Sequence, residues 1–443
     1  MPSPHRTLTR GIASAAIRDH EFGRAPGTAS DACARNGVGI ELELLTDDGG
    51  AAGDHQRLTW ERAEAVRTAV GPLPAGSALT VEPGGQLEIS TQPMPTLTDA
   101  CRAAAHDLLV LDRSCAATGV GLYALGQDPV RPPRRVTQAP RYRAMEAYFD
   151  AIGGAGRTMM TNTASIQLNV GLGDTEAEAT RRWQVANAIG PAMAAAFANS
   201  PFADGAPSGW KSARLRTWWQ LDPTRAMPVP IEAGADPTEV WTDYALAARV
   251  MLIRTSDDDY LPAVEPMTFG EWMADGHAAG FPTIDDLRYH LTTLFPPVRP
   301  RGWFEIRAID ALPTPFWHVA AAVITTLVMT ADLDADVRRA TATPSDAEPT
   351  SDDLWVDASQ LGLGHPALAR TAKDLFALAS AALMADGCEM ASELVDVYRH
   401  RWVDAGRSPA DDAHDRWRTD GTLFPRRESP VPMDEVLAEV ARS

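Results

Sequence analysis

Four short stretches of the chain alternate polar and apolar residues with a period of two. In residues 38–44, Glu41 and Glu43 fall on one face, with Ile40, Leu42 and Leu44 on the other. In residues 86–90, Gln86, Glu88 and Ser90 oppose Leu87 and Ile89. In residues 164–170, Ser165, Gln167 and Asn169 oppose Ile166, Leu168 and Val170, and in 303–308, Glu305 and Arg307 oppose Phe304 and Ile306. The spacing predicts four strands whose apolar faces suit helices packed on one side of an antiparallel sheet. The opposite faces are unusual for solvent, which favours Thr, Lys and mixed charge; here they are mostly Glu, Gln, Asn and Ser with one Arg. Glu82-Pro83-Gly84-Gly85 leads into the second strand, with glycines that allow close backbone approach and a proline that fixes the entry.

Helical spacing of apolar residues appears at 368–384 and 390–402, and the acidic pair Asp434 and Glu435 predicts the start of a short closing helix. The longest apolar run, 319–329, is interrupted by Thr325 and Thr326; it is too short to span a bilayer and reads as a buried helix. Loops are expected at 47–55, 127–141, 222–237 and 336–353. The division expected is one catalytic unit over residues 1–335, with a mostly helical C-terminal elaboration, residues 336–443, packed on it.

Composition narrows the function. The 443 residues carry 40 Lys+Arg against 59 Asp+Glu, a formal charge of -19, which disfavours nucleic acid and anionic membrane surfaces as partners. Lys211 and Lys373 are the only lysines, and neither ends a Gly-rich turn, so a P-loop is excluded. Cys33, Cys101, Cys115 and Cys388 form no C-x-x-C pair, which argues against a disulfide scaffold or structural zinc and for reduced thiols. Residues 1–22 lack the continuous apolar core of a signal peptide, and a cytoplasmic location is expected. His5, His20, His55 and His106 have no metal-ligand spacing, and Arg249 and Arg254 share no clean helical face.

If the four polar faces converge, Glu41, Glu43, Glu88 and Glu305 place four carboxylates in one cavity. Their pKa values then rise, or cations bind. An oxygen-only donor set suits Mg2+ first and Mn2+ second, and such Mg2+ sites are often completed by substrate phosphates. That points to nucleotide chemistry without a P-loop.

The elements Gly39-Ile40-Glu41-Leu42-Glu43, Glu82 through Ser90, Arg141-Tyr142 to Tyr148, Met159-Met160 to Asn169, and Glu305-Ile306-Arg307-Ala308-Ile309-Asp310 occur in this order. Together they resemble the glutamate–cysteine ligase family, in its plant- and proteobacterial-like group and, within that, the actinobacterial branch of ergothioneine biosynthesis. The resemblance covers residues 38–313. It implies an α+β, glutamine-synthetase-like cup: a curved, mainly antiparallel sheet with helices on its outer face. It implies that ATP phosphorylates the γ-carboxylate of glutamate and that the cysteine amine displaces phosphate to give γ-glutamylcysteine. Glu41, Glu43, Glu88 and Glu305 match metal-ligand positions, and Glu82 belongs to the same motif. Gln167 falls where some members place a His that contacts metal or nucleotide, and Asn169 matches a glutamate-contacting position. Arg307 matches an Arg that binds the transferred phosphoryl group. Arg216 resembles the Arg that grips the substrate carboxylate, with Arg225 a second candidate. The implied partners are glutamate, cysteine and ATP with Mg2+ or Mn2+, and the implied assembly is a monomer or homodimer. A ligase using another amine acceptor and an inactive amino-acid- or nucleotide-binding protein are the alternatives. Residues 131–143 and the loop after Asp222 are either lids or solvated loops. Trp218 and Trp219 either shape a cysteine pocket or pack in the core, and Tyr244 reads as a packed helix residue near the amino-acid site.

Overall fold

The computed structural model describes residues 8–23, 35–49, 55–231, 234–256, 259–342 and 351–425. The closing helix expected at Asp434 and Glu435, His5 and Cys33 lie outside them. Eleven strands are described: β1 (Val38–Asp47), β2 (Ala78–Val81), β3 (Leu87–Ser90), β4 (Gly121–Tyr123), β5 (Ser165–Gly171), β6 (Phe202–Ala203), β7 (Ala206–Pro207), β8 (Leu252–Ser256), β9 (Asp259–Pro262), β10 (Val298–Pro300) and β11 (Trp303–Asp310). Seven form one sheet in the order β10-β11-β5-β1-β3-β2, with β4 pairing β1 at its far end. Every pairing in it is antiparallel, while β6–β7 and β8–β9 are separate hairpins. All four predicted strands are present. Gln86 falls just outside β3, where its side chain accepts from the Gly84 N–H and donates to the Thr163 carbonyl, tying the preceding turn to β5.

The apolar faces behave as their alternation dictates. Ile40, Leu42, Leu87, Ile89, Ile166, Leu168, Phe304 and Ile306 are all buried in one core. Three helices cover that face: Leu97–Ala117, Glu176–Ala196 and Phe316–Met329. The second starts at a Thr175/Glu178 capping box, which satisfies two otherwise orphaned N–H groups. The third is buried along nearly its whole length, as the apolar run predicts. No single helix among the described residues is long and apolar enough to cross a membrane. Helices Pro366–Ala385 and Glu389–Tyr398 follow, the first packing on Glu176–Ala196 and Phe316–Met329. The Tyr398 hydroxyl donates to the Ala196 carbonyl at 2.9 Å, tying the later helices to the sheet-covering layer.

The residues after Asp222 do not form a free loop at their start. Pro223–Ala226 is a short helix, and Arg225 within it is fully buried. Its guanidinium meets Asp222 at 3.1 Å, the Thr293 carbonyl at 2.7 Å, the Arg249 carbonyl and the Tyr148 hydroxyl. Arg225 is therefore a staple joining three segments, and it is not placed to bind substrate. Residues 131–143 are likewise pinned at one end: Arg131 is buried against Asp128 and the Thr46 carbonyl. Arg225→Met should destabilise the fold by about 3–5 kcal/mol, because it leaves Asp222 buried without its counter-charge. Urea unfolding measures that loss, and the protein that remains folded should show no selective rise in KM for any one substrate.

Candidate active site

Strand register brings the polar faces together. Glu41 lies opposite Gln167 on β5 and Ser90 on β3, while Glu43 lies opposite Glu88. Asn169 pairs with Glu305, and Arg299 of β10 pairs with Glu305 from the other side. The carboxylates of Glu41, Glu43, Glu88 and Glu305, joined by Glu82 from the β2–β3 turn, line one cavity of about 360 Å³. Gln167 and Arg307 line it too, and its other walls include Met145, Met159, Met160, Trp218 and Phe295.

Charge is divided unevenly across this face. Glu305 is buried and clamped by Arg299 at 2.7 Å, Arg307 at 2.7 Å and Arg301 at 3.1 Å. Burial alone would raise its pKa, but the three guanidiniums outweigh it and hold the group well below the usual carboxylate range. Burial also pushes Arg299 down to about 10, against the opposing pull of Glu305. The remaining acids have no such clamp. Glu43 accepts from the Ser165 N–H and hydroxyl and from Gln167, at 2.7, 2.9 and 2.9 Å. Glu41 accepts from Asn169 at 2.8 Å, yet desolvation and then Glu305 raise it to about 6. Glu82 rises to about 8 through desolvation, then the fields of Glu43 and Glu41. Glu88 rises well above its ordinary value for the same first reason, with Glu82 next. Glu88, opposite Glu43, leans to the other side, accepting from the Thr80 and Ser90 hydroxyls at 3.1 and 2.9 Å.

Such a face calls for a cation. The Gln167 carbonyl oxygen Oε1 is buried with no donor, while its Nε2 is spent on Glu43. Among the described residues no three His, Cys, Asp or Glu side chains already surround a common point. The donor chemistry nevertheless fits a hard divalent ion: Glu41, Glu43, Glu82 and Glu88 offer carboxylate oxygens that no arginine clamps, and Gln167 Oε1 is an orphaned acceptor lining the same cavity. Glu305 fits less well, since both its oxygens are taken by arginines.

Glu41 also lines a second, larger cavity of about 1340 Å³, with Asn169, Trp303 and the N-terminal helix Arg10–Glu21 among its walls. Asn169 bridges Glu41 and the Trp303 indole N–H, the latter at 2.9 Å, so it lies at the junction. Arg216 lines neither of these cavities; Arg214 lines the smaller one. Both sit on the helix Ala213–Trp219, where residues two apart point about 200° apart, so only one can face the site. Trp218 lines the small cavity, whereas Trp219 turns away and donates to the Ser359 hydroxyl at 2.8 Å. Tyr244 stacks on Trp241 and donates to the Met227 carbonyl, as a packing residue does. Reading by alternation missed Arg299 and Arg301. Their signal is the Arg-Pro-Arg-Gly run just before the Glu305 strand, where a tight hairpin turns Arg299 back onto Glu305.

A mainly antiparallel sheet with one acidic, arginine-edged face and helices behind it is the glutamine-synthetase-like α+β fold expected from the sequence. The fold resembles the glutamate–cysteine ligase of Francisella tularensis solved in complex with AMP, with TM-score 0.52, 14% identity, and coverage of 92% of this chain and 89% of that one. It also resembles a bifunctional glutathione synthetase from Pasteurella multocida, with TM-score 0.51, 14% identity, and coverage of 93% and 53%. Residues 37–435 match glutamate–cysteine ligase family 2, and the chain belongs to that enzyme family, as its motifs suggest. It is 41% identical over 387 residues to glutamate–cysteine ligase EgtA of Mycolicibacterium smegmatis, covering 86% of each chain. To the chloroplastic glutamate–cysteine ligase of Nicotiana tabacum it is 30% identical over 302 residues, 64% of this chain and 57% of that one.

The raised pKa of Glu82 has a stability consequence. Between about pH 4.5 and pH 8 the folded chain keeps a proton that the unfolded chain releases, so this group's contribution falls as pH rises through that window. Glu82→Gln should therefore raise Tm more at pH 8 than at pH 5; equal shifts at both pH values would contradict the uncompensated charge.

Proposed function

We propose that this chain ligates the γ-carboxylate of L-glutamate to the amine of L-cysteine at the expense of ATP, giving γ-glutamylcysteine for ergothioneine synthesis. The observation that carries the reading is the divided sheet face: clamped arginines at one edge, uncompensated carboxylates at the other, in a cavity that adjoins a larger one at Glu41. The names of the mycobacterial relatives support the same activity, and the pathway rests on that branch of the family.

A free carboxylate is a poor electrophile because its leaving group would be oxide. Transfer of the γ-phosphoryl group breaks the terminal P–O bond of ATP, forms a P–O bond to the glutamate γ-carboxylate and releases ADP. The cysteine nitrogen then bonds to the activated carbon, the C–O bond breaks, phosphate leaves and the amine sheds a proton. Both reactants of the first step are anions, so the site must supply positive charge in fixed positions. Arg307 does this from β11, held by Glu305 at 2.7 Å, with its Nε still without a partner. Arg214 faces the same cavity, and its free Nε makes it the candidate for a substrate carboxylate. Glu41, Glu43, Glu82, Glu88 and Gln167 would hold Mg2+, or Mn2+, which when bound screens the phosphate oxygens. The larger cavity has room for a nucleotide and the smaller one for amino acids. Met145, Met159, Met160 and Phe295 give the smaller cavity an apolar wall suited to an uncharged thiol side chain.

The direct test is phosphate release from ATP, which should require glutamate, cysteine and Mg2+ together; release with any one omitted overturns the reading. A panel of other amines would show whether cysteine is the acceptor. Arg307→Lys keeps the charge but loses the planar fork, and kcat should fall about 100-fold or more. A change confined to KM for ATP would refute its role in the transfer. Arg214→Ala should raise KM for glutamate far more than for cysteine, while Arg216→Ala leaves both near wild type.

A further inference from the structure

Four of the five acids in the small cavity sit on strands, where ladder hydrogen bonds set their place. Glu82 does not; it lies on the turn between β2 and β3, one residue beyond the end of β2. Main-chain bonds from Glu82 to Gln86 and from Gly85 to Glu82 close that turn, and close contact with a neighbouring helix positions its tip. A Cβ on Gly84 would lie 2.1 Å from the Thr161 carbonyl oxygen, and Gly85 has φ +87, so both glycines are required where they stand. Main chain meets main chain here, and the carbonyls of Gly84 and Thr161 need a donor where the packing is tightest. Arg57 supplies it. Its Nη1 donates to the Gly84 carbonyl at 2.9 Å and to the Thr161 carbonyl at 2.5 Å. Its Nη2 donates to Asn162 Oδ1 at 2.7 Å and to the Pro132 carbonyl at 3.3 Å. The side chain is only 8% exposed, with Asp128 at 4.0 Å as its nearest counter-charge. The neighbouring turn carbonyls are held by other groups: Pro83 by the Val136 N–H at 2.7 Å and Gly85 by the Thr46 hydroxyl at 2.7 Å.

We infer that Arg57, which does not line the cavity, is a positioning residue. By clamping the Gly84 and Thr161 carbonyls it fixes the Glu82 turn against helix Ala155–Asn162 and so sets Glu82 as a cation ligand. The inference rests on the proposed Mg2+ site and adds a residue outside it. Within the hairpin the Glu82 N–H donates to the Gln86 carbonyl at 2.9 Å and the Gly85 N–H to the Glu82 carbonyl at 2.8 Å, which fixes the shape of the turn. Arg57 bonds the Gly84 and Thr161 carbonyls together and so sets where that turn sits against the helix. Burial lowers the Arg57 pKa to about 10, which leaves the clamp charged at neutral pH. Loss of a group that orients a ligand without touching the metal typically costs 10–100-fold in metal affinity.

Mn2+ binding to the full-length protein, read by electron paramagnetic resonance without nucleotide, tests this apart from turnover. Arg57→Gln should weaken Mn2+ binding about 10-fold and lower kcat, with KM for glutamate changed less than twofold. Arg57→Lys, which keeps the charge and reaches one carbonyl, should recover part of the loss and carries the test should the Gln variant not fold. In a Glu82→Gln background, Arg57→Gln should add no further loss of Mn2+ affinity. Fully additive losses, or wild-type Mn2+ binding by the Arg57 variants while Glu82→Gln binds poorly, overturn the positioning role alone. Absence of Mn2+ binding by the wild-type protein overturns it together with the metal reading.

Discussion

Glu43 and Glu88 face each other across neighbouring antiparallel strands with no arginine between them, and much of the site follows from that repulsion. The backbones cannot move apart, because the opposite faces of β1 and β3 are locked into the core by Ile40, Leu42, Leu87 and Ile89. The side chains therefore lean to opposite sides, Glu43 onto Ser165 and Gln167 and Glu88 onto Thr80 and Ser90. The guanidiniums of Arg299, Arg301 and Arg307 are spent on Glu305 at the other edge. The result is a face with a fixed gradient: positive charge gathered around one carboxylate, and unneutralised acids two and three strands away. A site that must hold cations and anions side by side needs such a gradient. Its cost in fold stability is what bound charge would offset.

A buried network keeps the basic edge in place. Asp310, at the end of β11, accepts from the Ser200 and Ser212 hydroxyls and the Asn199 N–H, at 2.7, 2.9 and 2.8 Å, and lies 3.7 Å from Arg214. Arg214 in turn donates to the Arg307 carbonyl at 2.6 Å. The register of β11 on β5 shifts between Ile306 and Ile309, across Arg307, so ladder bonds alone do not define that residue. Side-chain hydrogen bonds from another helix take over where the ladder breaks. The same logic holds at the other edge, where Arg57 ties the tip of the β2–β3 turn to the helix Ala155–Asn162.

The two cavities share Glu41, and Asn169 is bonded to it at the junction. This geometry suits a reaction in which a group passes from one bound molecule to another without crossing solvent. Membership in glutamate–cysteine ligase family 2 agrees with that arrangement, while the substrates named for this chain remain the proposal the geometry supports.

Period-two alternation was enough to determine the four strands and their acidic face, the apolar run 319–329 gave one of the covering helices, and the family showed as a resemblance carried by five motifs in order. These are local properties, dictated by side-chain polarity and backbone freedom within a few residues. Which arginine faces the cavity was not local. Arg214 and Arg216 are equivalent by composition, and only the packed orientation of helix Ala213–Trp219 separates them. Arg225 looked like a substrate ligand until Asp222, Tyr148 and Thr293 closed around it. Arg299, Arg301 and Arg57 gained their roles from strand register and from a contact between distant backbones. Partner choice for a long, charged side chain depends on which acid or carbonyl reaches it in space, and tertiary structure alone decides that.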